Sequence, residues 1–426
     1  MSDTITDRLI AFCSLDVPEN AAQMMRLSLF DWAACGIAGA RETEFVNFRS
    51  SLTALYPGAH RVFGTGSTSA PTAALINGTL SHALDYDDTH FAHIGHPTVA
   101  VVPAVLALAE QTHSDLRSLI DAATIGVEAS ILVGLWLGRD HYQMGYHQTA
   151  TAGAFGATLG ACRLLELTQN ELRNALGLCA SMASGLKVQF GTMAKPLNAG
   201  LAARTGIEAA LWAQSGMSAA HDGLAGPLGF GPTHHGQDVD VNVSRESWRI
   251  LDISHKFHAC CHGLHAMLEA LREAGLRGAD VESLHIHTHP RWMSVCNIQC
   301  PETGLSVKFS YVQTAAMVLS GYDTGDITSF SDQIAQDAEL AAMRRRISVS
   351  EDSCLTETQT VIKVVLNNRD TRHLTHDLLT PMTSDTRAAK LRAKAKTLVG
   401  EHHVQTLWNA AQGNNLGNFI HQLTME

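Results

Sequence analysis

Three glycines, Gly153, Gly156 and Gly160, recur at three- and four-residue spacing among Ala and Leu over residues 148–166. On a helix that spacing clears one stripe of side chains and lets a neighbouring helix approach closely. The same stretch, GAFGATLG, could suggest a dinucleotide loop, but no strand precedes it and its glycine spacing is wrong for one. A body of closely packed helices follows. Composition agrees, since aromatic residues make up only 6% of the chain and 34 glycines are present, which favours helix on helix over a β-sandwich.

Nearly every periodic segment up to about residue 250 is helical. Pro18 and Glu19 begin a helix with Met25, Leu29, Trp32 and Gly36 along one face. Pro97 opens an apolar helix reaching about Gln111, and residues 115–137 supply one or two more, with Glu128 a lone acid in an apolar setting. Further helices are expected over 169–184 and 196–215. A Gly-, Pro- and His-rich loop follows that keeps Leu224, Leu228 and Phe230, and it reads as core-lining or as a hinge. The character changes near residue 250. Residues 281–289 and 360–366 alternate as strands do, helices at about 308–320 and 328–342 lie between them, and a further strand is expected around 345–349. The expected architecture is therefore mainly α. A helical domain over 1–250 is completed by C-terminal helices over 384–426, and a smaller α+β domain occupies 251–383.

The 426 residues suffice for two or three domains. A net charge of −11 without any basic block argues against nucleic-acid binding, but a small anionic substrate remains compatible because a few local cations decide that. Nine scattered cysteines, an odd number, read as reduced and mostly buried thiols, so a cytoplasmic location is expected. The opening MSDTITDRLIAF does not read as a secretory signal. The longest apolar run, 99–109, contains Pro103 and is too short to span a bilayer, so no membrane partner is expected.

Chemistry concentrates first in residues 77–97, NGTLSHALDYDDTHFAHIGHP. The first part of this segment reads as a helix and places Asn77, Ser81, Asp85, Asp88 and Thr89 in one stripe, with His82 a turn from Asp85 and Leu80, Ala83 and Leu84 on an apolar side. Short polar groups reach nothing unless a ligand or partner comes close. Beside His90, His93 and His96 they suit proton transfer, or equally a buried network closing a helix end. The second place is Gly145-Tyr146-His147 at a helix entrance, an acid or donor in one reading and a cap in the other. The third is Lys195, which Pro196 sets at the start of a helix. Backbone N–H groups, the dipole and the ammonium together make an anion site there, whereas the plain alternative is a solvated lysine. The fourth is KFHACCHGLH, residues 256–265, where helical spacing puts His258, His262 and His265 on one face. Zinc through Cys and His is not expected, because neither a CxxC pair nor HExxH accompanies them. His285, His287 and His289 share a strand face and read as surface imidazoles, and Cys296 and Cys300 read as structural. Two classes fit these parts. One is an enzyme that clamps a di- or tricarboxylate with Lys195 and Lys256 while an Asp or His removes a proton beside a carboxylate. The other is a helical binding protein whose polar stripe is structural.

The ordered blocks HALDYDDTH followed by HP, GYH before the glycine-rich helix, GTMAKPLNAG and KFHACCHGLHA resemble the MmgE/PrpD family over nearly the whole chain. That family comprises 2-methylcitrate dehydratases, cis-aconitate decarboxylases and iminodisuccinate epimerases, and none of the blocks separates these activities. The resemblance implies a large all-helical domain with a smaller α+β lid, an active site between them, a homodimer, and neither a metal nor an organic cofactor. By position it implies pocket roles for Asp85, Thr89, His96, His147, Lys195 and Lys256. Lys195 and Lys256 would hold carboxylates, with Thr89, His82 and Asp88 as further binding groups. His96 or Asp85 would act as base, and His147, aided by Tyr146, as acid. Decarboxylase-type relatives carry a tyrosine shortly after a Phe-Ser pair. Here Gln313 occupies that position and Tyr311 comes two residues early. The expectation is thus a cofactor-independent lyase of the dehydratase type. An epimerase is the alternative, kept open by a chain short for the dehydratases, and a decarboxylase is less favoured.

Overall fold

Prolines and short polar residues start the helices. Pro97 opens Pro97–Thr112, while Thr4 and Thr168 close capping boxes with Asp7 and Glu171 ahead of Ile5–Cys13 and Gln169–Met182. The computed structural model describes residues 4–425, and the chain divides into two compact units. One ends at His255 and resumes at Val399, and the other is Lys256–Leu398. The architecture is mainly α, with the β-structure concentrated in one four-stranded sheet of the second unit.

In the first unit the long helices Glu19–Gly39, Ala70–Ser81, Pro97–Thr112, Leu116–Gln143, Gln148–Leu164 and Ala194–Gln214 pack against one another, and Glu401–Gln412 and Leu416–Leu423 complete it. Small residues set the closest crossings. A Cβ on Gly156 would lie 2.5 Å from the Gly126 carbonyl oxygen, and one on Gly153 would lie 2.6 Å from the Ala100 Cβ. The glycine stripe is therefore a helix-packing surface. Leu116–Gln143 is apolar and long enough to cross a membrane by length and composition, yet 83% of that stretch is buried inside the protein, as in a core helix. It breaks at Gly138, whose φ of 73° lies in the left-handed region. Glu128 accepts hydrogen bonds from the backbone N–H groups of Arg249 and Ile250 at 2.8 and 2.7 Å, which explains an acid in that apolar setting. In the loop after Ala194–Gln214, Leu224 and Phe230 fill the core, but Leu228 is exposed.

In the second unit the strands lie in the order Ile347–Glu351, Val281–Thr288, Gln359–Leu366, Thr371–Asp377, the first pair parallel and the others antiparallel. Leu284, Ile286, Ile362 and Val364 are buried on one face against His265–Ala274, while Ser348, His285 and Lys363 occupy the other. Three expectations are corrected here. The polar strand Thr371–Asp377 was not anticipated, because an edge strand with mostly exposed side chains carries no apolar alternation. The helix expected over 328–342 is three short pieces, Ile327–Ser329, Asp332–Ala335 and Ala338–Arg344, because Ser331 and Asp337 each cap a new start. The helix Ser384–Val399, expected to complete the helical domain, clusters almost entirely with the second unit instead. Lys390 Nζ reaches Glu269 at 2.6 Å and Thr397 donates to the Gly325 carbonyl.

Candidate active site

The helix Ala70–Ser81 does not continue through Thr89 as the stripe reading required. Ser81 donates its hydroxyl back to the Asn77 carbonyl at 2.7 Å, His82 caps the helix, and Asp85 adopts φ 51°, the left-handed region that Asp tolerates better than most residues. Asn77 is buried and already paired, accepting from the Phe63 N–H and donating to the Arg61 carbonyl. The segment that follows is a compact loop in which Thr89 and Ser254 exchange backbone hydrogen bonds at 2.9 and 2.8 Å. The residue types that suggested chemistry are thus gathered by a turn rather than by helical periodicity.

Within the first unit this turn meets the starts of three helices. His96 and His147 are the N-cap residues of Pro97–Thr112 and Gln148–Leu164, and Lys195 is the second residue of Ala194–Gln214. The His96 N–H donates to the Thr149 hydroxyl at 3.0 Å, which ties the first two helix starts together. Lys195 Nζ donates to Asp85 Oδ1 at 2.8 Å, and the same oxygen lies 3.3 Å from His96 Nε2. The other nitrogen of His96, Nδ1, lies 3.0 Å from Asp87 Oδ2, and Asp87 also holds His82 Nδ1 at 2.9 Å. The His82 ring meets His96 edge-on at 4.6 Å between centroids and lies nearly parallel to His147 at 6.1 Å. His147 Nδ1 accepts from the Asn198 amide at 3.2 Å, which leaves the proton of a neutral ring on Nε2. Asn198 stands one turn after Lys195 on the same helix, so one element supplies both contacts.

Burial and charge assign the protonation states. Burial works against a charged His96, but Asp87 and Asp85 outweigh it and raise its pKa above the usual histidine value. Burial would push Asp87 up, yet the neighbouring imidazoles hold it well below the carboxylate range. Burial, with Lys195 and His96 nearby, brings His82 down to about 4 and overrides the attraction of Asp87. Burial and then Lys195 likewise keep His147 neutral. With His82 uncharged, the imidazolium of His96 is the group that keeps Asp87 ionised. Asp85, by contrast, is open to solvent, with 41% of its side chain exposed.

His82, Asp85, Asp87 and His96 offer possible metal-ligand atoms within 4.8 Å of one another. They nonetheless already pair with one another as a chain of close charge contacts. His96 spends its two nitrogens on two different carboxylates, and a cation on Asp85 would have to displace the Lys195 ammonium.

The other expected residues are placed differently. Asp88 points into the core, accepting from Thr98 at 2.6 Å, and its burial raises its pKa to about 7. Tyr146 stacks flat on His141, centroids 4.5 Å apart, and packs against His234 rather than beside the chain of charges. Thr89 lies half-buried at its bridge to Ser254. Lys256 is buried at the start of the second unit. There, His258, His262 and His265 do not share a helix face, since the helix begins only at His265. Their rings still cluster, with His262 and His258 4.4 and 5.0 Å from His265. His258 pairs with Thr324 and Glu269. Tyr311 donates its hydroxyl to the Gly263 carbonyl at 2.6 Å and contacts Thr288, and Gln313 is held by Arg344 and the Ile334 carbonyl. His285 and His287 do share a strand face, but His289 caps the next helix. Two residues of the charge network, Asp87 and Asn198, were not anticipated. A second Asp in the DYDD run and a polar residue three positions after Lys195 were the available signals.

This arrangement is a chain of Asp and His side chains beside a lysine at three helix starts. The chain belongs to the MmgE/PrpD family: the model of the MmgE/PrpD N-terminal domain matches residues 5–241, and that of the MmgE/PrpD C-terminal domain matches residues 258–414. It is 29% identical over 312 residues to a cis-aconitate decarboxylase of Aspergillus terreus, a match covering 67% of this chain and 63% of that protein. It is 28% identical to the Homo sapiens cis-aconitate decarboxylase over 54% of this chain and 50% of that one. A 2-methylcitrate dehydratase of Escherichia coli K12 is 23% identical over 77% of this chain and 73% of its own length. The chain thus spans about three fifths of the decarboxylase it matches over the greatest length.

Proposed function

We propose that the protein is a lyase that removes a proton next to a carboxylate of a small di- or tricarboxylate, in the manner of a 2-methylcitrate dehydratase. The observation that carries this reading is the Lys195–Asp85–His96–Asp87 chain at the starts of three helices. Helix starts and an ammonium favour an anion, and the same groups stabilise the negative charge that grows on the carboxylate as its neighbouring carbon loses a proton.

A substrate carboxylate takes the place of Asp85 on Lys195. Asp85, relieved of its cation, becomes a stronger base and accepts the proton from carbon. The electron pair of that C–H bond forms the alkene as the C–O bond breaks on the adjacent carbon. His96 donates its Nε2 proton to the departing hydroxyl, releasing water, and the Nε2–H of neutral His147 hydrogen-bonds the developing charge. These steps use side chains alone.

Decarboxylation is the second reading, favoured by the higher identity to proteins named cis-aconitate decarboxylase. Against it, the Tyr311 hydroxyl is committed to Gly263 and Thr288, and Gln313 stands where the decarboxylases carry their phenol. Incubating the full chain with 2-methylcitrate, cis-aconitate and an iminodisuccinate-like diacid in deuterated water, followed by NMR, tests the proposal. An alkene formed from the hydroxy acid supports it. Carbon dioxide release supports the second reading, and deuterium at an inverted carbon makes the protein an epimerase. Absence of both product and deuterium uptake with all three overturns the reading.

A further inference from the structure

Asp87 is buried, acidic and one carboxylate shared by two rings. His82 Nδ1 lies 2.9 and 3.0 Å from Oδ1 and Oδ2, and His96 Nδ1 lies 3.0 Å from Oδ2. An ionised carboxylate only accepts hydrogen bonds, so His82 Nδ1, which is hydrogen-bonded to it, carries hydrogen, and at His96 a bare Nδ1 lone pair 3.0 Å from the same carboxylate would be repelled. That leaves each Nε2 as the working edge. On His96 it is the edge turned to Asp85, and on His82 it is buried with no hydrogen-bond partner among the described residues. A neutral imidazole protonated at Nδ1 has a bare lone pair at Nε2, whereas an imidazolium has a hydrogen there. One carboxylate thereby sets a proton acceptor and a proton donor side by side, 4.6 Å apart between ring centres.

We infer that Asp87 is a positioning residue that fixes the tautomer of His82 and the orientation and charge of His96, so that His96 presents Nε2–H to the proposed substrate. Its role in turnover rests on the lyase reading above, while its role in setting the tautomers does not. The charged and titratable groups facing His96 are Asp87, Asp85, Lys195, His82, His93 and His147. Lys195, His82, His93 and His147 favour the neutral ring, and Asp85 already shares its charge with Lys195. Asp87 is thus the main support for the imidazolium. His147 makes the opposite choice with a different partner, accepting at Nδ1 from Asn198. The two neutral rings, His82 and His147, are therefore held in opposite tautomers a few ångströms apart.

The test is NMR on the 15N-histidine-labelled full chain, with His82→Gln and His96→Gln used to assign the signals. In the unsubstituted protein His82 is expected as the Nδ1–H tautomer at neutral pH, and His96 as the species that titrates above the ordinary histidine range. In Asp87→Asn, the pKa of His96 is expected to fall by a unit or more, and the His82 signal to move toward the other tautomer. Asp87→Glu, which keeps the carboxylate, should restore both in part. In turnover of whichever substrate is found, Asp87→Asn is expected to lower kcat about 100-fold, with KM changed less than threefold and the alkaline limb of the pH profile displaced downward. An Nε2–H tautomer of His82 in the unsubstituted protein overturns the inference. So does an Asp87→Asn variant that loses thermal stability while both histidine signals and the pH profile stay as they were. Because the tautomers are read without substrate, failure of the lyase assay alone counts against the proposed reaction and leaves this inference standing or falling on the spectra. If Asp87→Asn does not fold, the unsubstituted spectrum and Asp87→Glu still decide it.

Discussion

At Lys195 the ammonium already holds a carboxylate, that of Asp85, and a substrate must compete for it. Lys195→Ala should therefore leave the fold intact and lower kcat/KM by about 10² or more, as expected when charge stabilisation at the reacting centre is lost. Circular dichroism and a turnover assay on the same sample check this, and unchanged turnover would rule the lysine out of the chemistry. Asp88 makes a different prediction although it stands three residues after Asp85. Its burial keeps it protonated to about pH 7 in the folded protein, whereas an unfolded Asp loses its proton near 3.8. Between those values the folded state binds the extra proton, so stability falls as pH rises. Asp88→Asn removes that penalty and can still accept from Thr98. Its melting temperature relative to the unsubstituted protein should rise from pH 5 to pH 8, and calorimetry at the two pH values reads the difference directly.

Among the elements, the crossing of Ala70–Ser81 with Ala194–Gln214 governs the site. Gly78 and Gly200 face one another there. A Cβ on Gly200 would lie 2.2 Å from the Leu75 carbonyl oxygen and 2.4 Å from the Thr79 hydroxyl, and one on Gly78 would lie 2.8 Å from the Gly200 Cα. One of these helices leads into the turn bearing Asp85, and the other carries Lys195 and Asn198. Gly200→Ala should push them apart, costing about 1–3 kcal/mol of stability in urea unfolding, and it should also weaken turnover, since the 2.8 Å contact depends on the crossing. A variant that unfolds like the parent would show that the crossing can relax.

For the whole molecule, buried neutral histidines set the response to acid. His82, His90, His93, His141, His147, His258 and His265 all have their pKa lowered, chiefly by burial, so the folded protein keeps them neutral where an unfolded chain protonates near 6.5. Below that pH the unfolded state binds more protons and stability drops. Asp88 and Glu128 act in the opposite sense over this range but are fewer, and the stabilisation from His96 is already complete below its unfolded value. The thermal midpoint should fall steadily between pH 6.5 and 4.5, and a flat profile there would contradict these protonation states.

Helix positions in the first unit were legible in the sequence, because proline starts, capping residues and apolar periodicity act over a few residues and need no distant partner. Pro97–Thr112 and Gln148–Leu164 illustrate this, as do two of the three longer strands, whose inner faces alternate. The polar edge strand Thr371–Asp377 and the grouping of Ser384–Val399 with the second unit were not, since each depends on a neighbour remote in the chain. The site divides in the same way. By itself the sequence singled out Asp85, His96, His147 and Lys195 one block at a time, each with a structural alternative, and only the family resemblance of those blocks joined them as a set. Only the tertiary structure decided that Asp85 leaves the helix, that Asp87 rather than Asp88 joins the charge chain, and that Tyr146 stacks on His141 instead. The reason is physical: adjacent residues in a turn point in different directions, and a difference of one position sends one carboxylate to two imidazoles and the next into the core.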